Sequence, residues 1–454
     1  MAQRDGSLDP DGLVNHPNSA NHALRGTVRL GLRVTALGGA VLGVAMLLAA
    51  PLLADRVFGD PSLALLIRVL AISVPLTGLS ELLLSSMRAY TRVVMPAVIR
   101  SFVAPGLRVV AAVGALLAHT DLVGVAVAYT LVEGVALVLA AVAAYRVLPR
   151  RAAGMVAPPT AEIARFSWPL AINRVLNGST NNAEVFLLGA LAGTSRVALF
   201  AAARRFTIVA NAIFIAFGTI FSPMVSDLDA ADQGDHLARL YKALSRWIFT
   251  IGVPVFLVQV MFGEALLATF GRGFGQGQLA LTVLALGQLG NYASGAAVNV
   301  LTMTGRSRTN LLFTIFHLVL TVALNLLLIP PFGLAGAAVA NAVAMTAVNA
   351  GLTTQVWRLT GMHPYDRGWL KPVGAGLGAA VVTVVARVLL SEGAAGELAA
   401  MAVLGVAYLA LLALLGFEAD DRAVLDQLVK RVRRRSSPAA EAALATTASG
   451  GDQG

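Results

Sequence analysis

Long apolar runs separated by short polar connections dominate the pattern of this chain. Leu32–Leu53 carries one charge, Arg33, at its edge, and Leu311–Ile329 and Leu398–Leu415 carry none. About 20 apolar residues suffice for a helix to cross a bilayer. The pattern predicts about twelve such spans, at roughly 34–54, 63–87, 98–118, 123–145, 167–192, 197–222, 245–269, 279–303, 310–330, 334–357, 372–390 and 398–416. The alternation of apolar and polar positions that marks strands is absent, which argues against a barrel. The expected fold class is all-α integral membrane.

Composition removes the soluble alternative. Hydrophobic residues make up 57% of the 454 and charged residues 13%. Soluble domains carry nearer a quarter charged residues, and 13% is too few to coat the two or three domains this length would need. Met1–Ala23 is polar and lacks the basic-then-apolar order of a signal peptide, so the first span is expected to direct insertion.

The connections fix an orientation. Arg25, Arg29 and Arg33 precede the first span; Arg88, Arg92 and Arg100 lie between spans two and three; Arg146, Arg150, Arg151 and Arg165 follow span four. Arg239, Lys242 and Arg246 follow span six, Arg306 and Arg308 span eight, and Arg358, Arg367 and Lys371 span ten. The intervening loops hold only Arg56, Arg196 and Arg272. By the positive-inside rule both termini are cytoplasmic and the span number is even. The net charge of +10 therefore reads as membrane topology, with no nucleic-acid partner. In the tail, Leu425, Leu428, Val429 and Val432 share a helical face ahead of a basic cluster, as an interfacial helix on anionic lipid would.

An internal repeat is visible. "LLADRVFG" at Leu52–Gly59 resembles "EALLATFG" at Glu264–Gly271, and "LVGVAVA" at Leu122–Ala128 resembles "LAGAAVA" at Leu334–Ala340. Spans one to four thus match spans seven to ten, at offsets of about 210 to 218 residues by this alignment. The simplest design is a two-times-six repeat lacking its first two helices, with spans eleven and twelve as an addition. The expected organisation is a polar segment at 1–27, a four-helix bundle at 28–150, a linker at 151–162, a six-helix bundle at 163–358, two extra helices at 359–416 and a basic amphipathic tail at 417–454.

Further motifs carry a resemblance. "ARFSWPLAINRVLNGSTNNAEVFLLG" from Ala164, "VALFAAARRF" from Val197, "FSPMVSDL" from Phe221, "MTGRSRTNLL" from Met303 and "NLLLIPPFGLAGAAVANAVA" from Asn325 are similar to motifs of the multidrug/oligosaccharidyl-lipid/polysaccharide (MOP) exporter superfamily. The polysaccharide-synthesis branch, with its O-antigen and lipid II flippases, is the one most resembled. Ala198 and Phe200 stand where that pattern has Gly and Tyr. The resemblance implies a carrier in the cytoplasmic membrane that moves a lipid-linked saccharide by alternating access. It implies as partners the bilayer, the saccharide-lipid, a coupling Na+ or H+, and glycosyltransferases or polymerases. The alternatives are a multidrug/cation antiporter of the same superfamily and a non-transporting membrane scaffold.

Ionisable groups within a span are costly and tend to face a cavity or a partner. Arg174, Asn177, Asn181 and Glu184 follow at steps of three, four and three, one helical face. They read as a hydrophilic stripe for sugar or pyrophosphate, Arg being suited to phosphate by its planar fork; an Arg-to-Glu tie between helices is the structural alternative. Arg204 and Arg205 open span six, with Asn211 on the face of Arg204. Gln288, Asn291, Tyr292 and Asn299 have helical spacing in span eight; Asn291 joins the candidate cavity set, although interhelical hydrogen bonding explains such residues equally well. Glu81 and Glu133 are expected to be buried acids, either ion-coupling sites or partners of Arg108 or Arg88. Gly39/Gly43 and Gly374/Gly378 read as helix packing, and Arg68 and Arg387 as side chains reaching the outer interface.

Catalysis finds little support. Cysteine is absent, the six histidines have no metal-ligand spacing, and no phosphate-binding Walker loop occurs. No cofactor is expected. A membrane glycosyltransferase or polymerase would carry a large polar outer loop, whereas every outer loop here is short.

Overall fold

The structure, a computed structural model, describes residues 17–89, 94–147, 160–230, 233–304, 306–390 and 393–416. The amphipathic tail segment at 425–432 and the first 16 residues fall outside them. Among the described residues there is helix and no strand. Two compact units divide at Ile172/Asn173, inside a helix rather than at the 151–162 linker the sequence suggests.

The first unit is a meander. Helix α1 (Pro17–Leu52) runs on through a π-helical turn at Leu53–Val57 and packs against α2 (Leu63–Ala89). Gly39 of α1 lies against Pro75 of α2, and Ala50, Ala54 and Ala71 are fully buried. Small residues let helices approach closely in a bilayer, where lipid is as apolar as any side chain and burial alone does not drive association. Helix α3 (Val94–Val98), a second π-helical turn (Ile99–Val103) and α4 (Ala104–Leu117) form one continuous segment, and α5 (Leu122–Val147) packs on both α2 and α4. Leu84, Met87, Ile99, Ala140, Ala143 and Ala144 make its core.

The remaining helices are α6 (Thr160–Ala192), which begins in the first unit, α7 (Thr194–Ala230), α8 (Gly234–Met261), α9 (Gly263–Ala268), α10 (Gln278–Ser294), α11 (Ala297–Met303), α12 (Ser307–Thr360), α13 (Leu370–Leu389) and α14 (Ala394–Leu415). Helix α10 packs on α7, α8 and α12, and the core gathers Phe221, Leu240, Tyr241, Ile248, Phe262, Tyr292 and Leu301. Span eight, expected as one helix, breaks between α10 and α11. Gly295 adopts φ 60° there, and its backbone lies directly on Ser245 of α8, which leaves no room for a side chain. Helix α12 is two limbs: Gly333 at φ 54°, ψ −122° interrupts it just after Pro330 and Pro331. Both prolines lack the N–H that would continue the helical ladder. The turn thus falls between the expected spans nine and ten.

Among the described residues eight helices are long and apolar enough to cross a membrane, one of them the bent 53-residue stretch Arg308–Thr360. That stretch is more than twice the length of one crossing. Their outward faces are largely apolar: Val388 and Leu414 are more than 80% exposed, a state that suits lipid and not water.

Helices α13 and α14 are not a loose addition. They belong to the second compact unit and pack on α8. The Tyr408 hydroxyl donates to the Thr250 carbonyl at 2.6 Å. Arg387 does not reach for an interface: it donates to the Met261 carbonyl, pairs with Glu397 at 2.6 Å and lies over the Phe262 ring. At the opposite end Arg246 of α8 pairs with Asp366 at 2.5 Å, and Trp369 stacks near Phe249 with centroids 4.6 Å apart. Of the Gly374/Gly378 pair, Gly378 meets Leu411 but Gly374 meets nothing within 4 Å; Gly376 takes the close contact to Val253 of α8.

Candidate functional site

A polar cavity lies within the second unit, enclosed by α6, α7, α10 and both limbs of α12. Its volume is about 130 Å³. Helix α6 contributes Thr180 and Glu184; α7 contributes Arg204, Thr207, Ile208 and Asn211; α10 contributes Leu284 and Gln288; α12 contributes His317, Asn341 and Met345. Within each helix the lining positions recur at three- and four-residue steps, so each helix turns one face inward.

Its electrostatics are unbalanced. Glu184 is 2% exposed, and one carboxylate oxygen accepts a short hydrogen bond from the Asn341 amide. The other oxygen, Oε2, is buried with no partner among the described residues. Arg204 lines the same cavity half-buried, yet among the described residues its guanidinium enters no hydrogen bond or ion pair. Gln288 donates to Asn211 across the cavity at 3.3 Å. A buried charge left partly unsatisfied costs stability, so this arrangement holds capacity for a polar or charged guest. Among the described residues no group of three or more acidic or histidine side chains could hold a metal ion.

The structure divides the sequence candidates. Glu184, Arg204 and Asn211 come together in the cavity. The expected entry of span six at Arg204 shifts: α7 starts at Thr194, which carries Arg204 well inside the helix. Arg205 is exposed and Asn291 is buried, both off the cavity lining. Arg174 shares the helix with Glu184 but is exposed and also off the lining. The side chains of Asn177 and Asn181 fall outside the described residues. Asn341 and His317 went unremarked as cavity residues in the sequence; an Asn within the apolar run of the second α12 limb was the available signal.

The acids of the first unit are ion pairs. Arg108 brackets one oxygen of Glu133 from Nε at 3.0 Å and Nη2 at 2.6 Å, while Thr77 donates to the other at 3.1 Å. Arg108 also stands over the Tyr129 ring. Glu81 pairs with Arg100 at 3.0 Å, both partners well exposed, against the burial expected of Glu81. The side chain of Arg88 falls outside the described residues.

Comparison with known proteins places the architecture. The structure is similar to that of lipid II flippase MurJ in an inward closed conformation, with a TM-score of 0.70 at 11% identity, covering 87% of this chain and 88% of that one. It is similar to an inward-facing multidrug resistance MATE family transporter of the MOP superfamily, with a TM-score of 0.64 at 16% identity, covering 76% and 85%. A MOP superfamily transporter from Pyrococcus furiosus aligns with a TM-score of 0.55 at 16% identity, covering 76% and 83%. No curated protein matches the sequence. A family model described as polysaccharide biosynthesis protein matches residues 33–274, more than half of the chain. The chain therefore belongs to this polysaccharide biosynthesis protein family, and its fold is that of the MOP-superfamily membrane transporters.

Proposed function

We propose that this protein is a flippase that carries a lipid-linked oligosaccharide or polysaccharide precursor across the cytoplasmic membrane by alternating access, with both termini cytoplasmic. The observation that carries the reading is the unbalanced cavity. Arg204, coupled to Glu184 by charge but making no direct hydrogen bond among the described residues, offers its planar fork for phosphate, and Glu184, Asn341, Gln288 and Asn211 offer the mix of donors and acceptors that sugar hydroxyls require. Membership of a polysaccharide biosynthesis family supports a saccharide-bearing cargo. The cavity of about 130 Å³ is smaller than most ligand sites, so the cargo's charged or polar linkage would occupy it rather than the whole glycan.

The test is the distribution of lipid-linked saccharide between leaflets in a deletion strain. Accumulation on the cytoplasmic side, reversed by the wild-type gene and not by Arg204→Ala, is the expected outcome. An unchanged distribution together with altered resistance to cationic compounds would replace this reading by that of a cation antiporter. An unchanged distribution and unchanged resistance would leave a non-transporting scaffold.

A further inference from the structure

A second cavity, of about 420 Å³, opens at the end of the second unit where the connections before α7, before α10 and between the α12 limbs meet. It is lined by Arg196, Gln276, Leu279, Phe332 and Gly333 with their neighbours, and no acidic residue is among the lining. Arg196 is exposed in the cavity, and among the described residues its guanidinium has no hydrogen bond or ion pair. It lies against Gly333 so closely that a Cβ there would stand 3.0 Å from Nη1. Gly333 has φ 54°, so the turn that shapes this wall already calls for glycine, and the absent side chain leaves the space the arginine uses.

Most of the helix ends around Arg196 share its sign, although Pro330 and Pro331 bring the carbonyl end of the first α12 limb to the same wall. Arg196 sits in the first turn of the 37-residue α7; Leu279 and Ala280 are in the first turn of α10; Leu334 and Ala335 start the second limb of α12. Helix starts present free N–H groups and the positive end of the macrodipole. Three such starts and one helix end border the cavity, together with the Arg196 guanidinium and the amide of Gln276. The loop charges put this end on the outer face, where Arg196 is one of three basic residues in all the outer connections. A basic residue that runs against the topological bias calls for a different explanation from its cytoplasmic counterparts.

We propose that this cavity is a binding site for a phosphate group, separate from the cavity on Glu184 and Arg204. Arg196 is its principal ligand, giving two N–H donors to two phosphate oxygens, and Gln276 a further donor. The phosphate is either that of a lipid head group in the adjoining leaflet or a free phosphate of a delivered cargo.

The experiment uses the full chain purified in detergent, with inorganic phosphate as the probe and thermal stabilisation as the readout. Wild-type protein should be stabilised in a saturable way. Arg196→Ala should weaken binding at least about tenfold, the scale of one charge-assisted hydrogen bond. Arg196→Lys should lose less than Arg196→Ala, and Gln276→Ala about threefold by the same scale. Arg358→Ala, exposed in the last turn of α12 outside the cavity, should bind as wild type. Phosphatidylglycerol retained by wild type and not by Arg196→Ala in native mass spectrometry, and displaced by inorganic phosphate, would assign the lipid source. Phosphate binding without such lipid retention would assign the free group. Wild-type protein that binds no phosphate, or Arg196→Ala that binds it unchanged, overturns the site. Because the readout is binding by purified protein, its failure leaves the transport reading standing, and a failure of transport in cells leaves this one standing.

Discussion

Glu133 and Glu184 are the same residue in nearly the same circumstance: each lies within an apolar helix, and each is at most 2% exposed. What surrounds them differs. Glu133 has every oxygen engaged, by Arg108 on one side and Thr77 on the other. Among the described residues, Glu184 has one oxygen held by Asn341 and one without a hydrogen-bond partner, beside an Arg204 whose charge acts on it without a direct hydrogen bond or ion pair. A buried charge with its hydrogen bonds complete is a tie between helices; the same charge left incomplete beside a cavity is a site waiting for a ligand. Burial alone does not separate structural from functional acids in this bundle, but the completeness of their hydrogen bonding does.

The contrast can be broken from either side. The largest effect is expected in the first unit, where Arg108→Ala leaves Glu133 buried with only the Thr77 and Tyr129 hydroxyls and no countercharge. It should cost about 3 kcal/mol, the low end for removing one member of a buried pair because Arg108 is half-exposed. Melting of the detergent-solubilised protein measures it, and Arg108→Ala/Glu133→Leu should recover most of the loss. Asp366→Ala, opposite the buried Arg246, should cost about 2 kcal/mol in the same assay, since Arg246 has a further interaction to fall back on.

In the second unit the order of effects reverses: transport should suffer more than stability. Arg204→Ala should lower transport by at least tenfold, about 1.5 kcal/mol or more of lost charge-assisted contact, with a loss of melting stability well below that of Arg108→Ala. A melting loss as large as that of Arg108→Ala, with residual protein transporting normally, would erase the distinction. Asn341→Ala frees Glu184 altogether and should cost about 1–2 kcal/mol of stability together with a weaker loss of transport. The smallest effect is expected of Arg174→Ala, exposed and off the cavity, at under about 0.5 kcal/mol of stability. Its transport should stay within threefold of wild type; a loss equal to that of Arg204→Ala would extend the site along α6 toward Arg174, as the sequence spacing proposes.

Much of the cavity was half-legible in the chain. The i, i+7 relation of Arg204 and Asn211 named two residues of its α7 wall, and Glu184 marked α6. The same spacing logic also enrolled Arg174, which follows the Glu184 face only while the helix is considered alone. Nearly three turns away along α6 the surroundings have changed, and the side chain is exposed. Arg205 and Asn291 failed for the same reason: polarity within a span is visible locally, but the wall it faces is not. Arg387 carried a different lesson, since a charge near a helix end is open to interfacial solvation until a neighbour such as Glu397 or the Met261 carbonyl claims it.

What the sequence determined by itself was set by properties of short stretches. The length of each apolar run, the charge of each connection and the period of the polar positions are local. Together they require helices, a bilayer and an alternating placement of loops, because backbone groups in lipid must be satisfied within the segment. The tertiary structure alone decided which faces meet. Asn341 reaches Glu184 across 157 residues of sequence, and Gly333 turns one 54-residue helix into the two limbs that bring His317 and Asn341 to a single cavity. It also decided that α13 and α14 are fastened to α8 at both ends. Such choices depend on steric fit and on the pairing of polar atoms between distant segments, and no run of neighbouring residues encodes them.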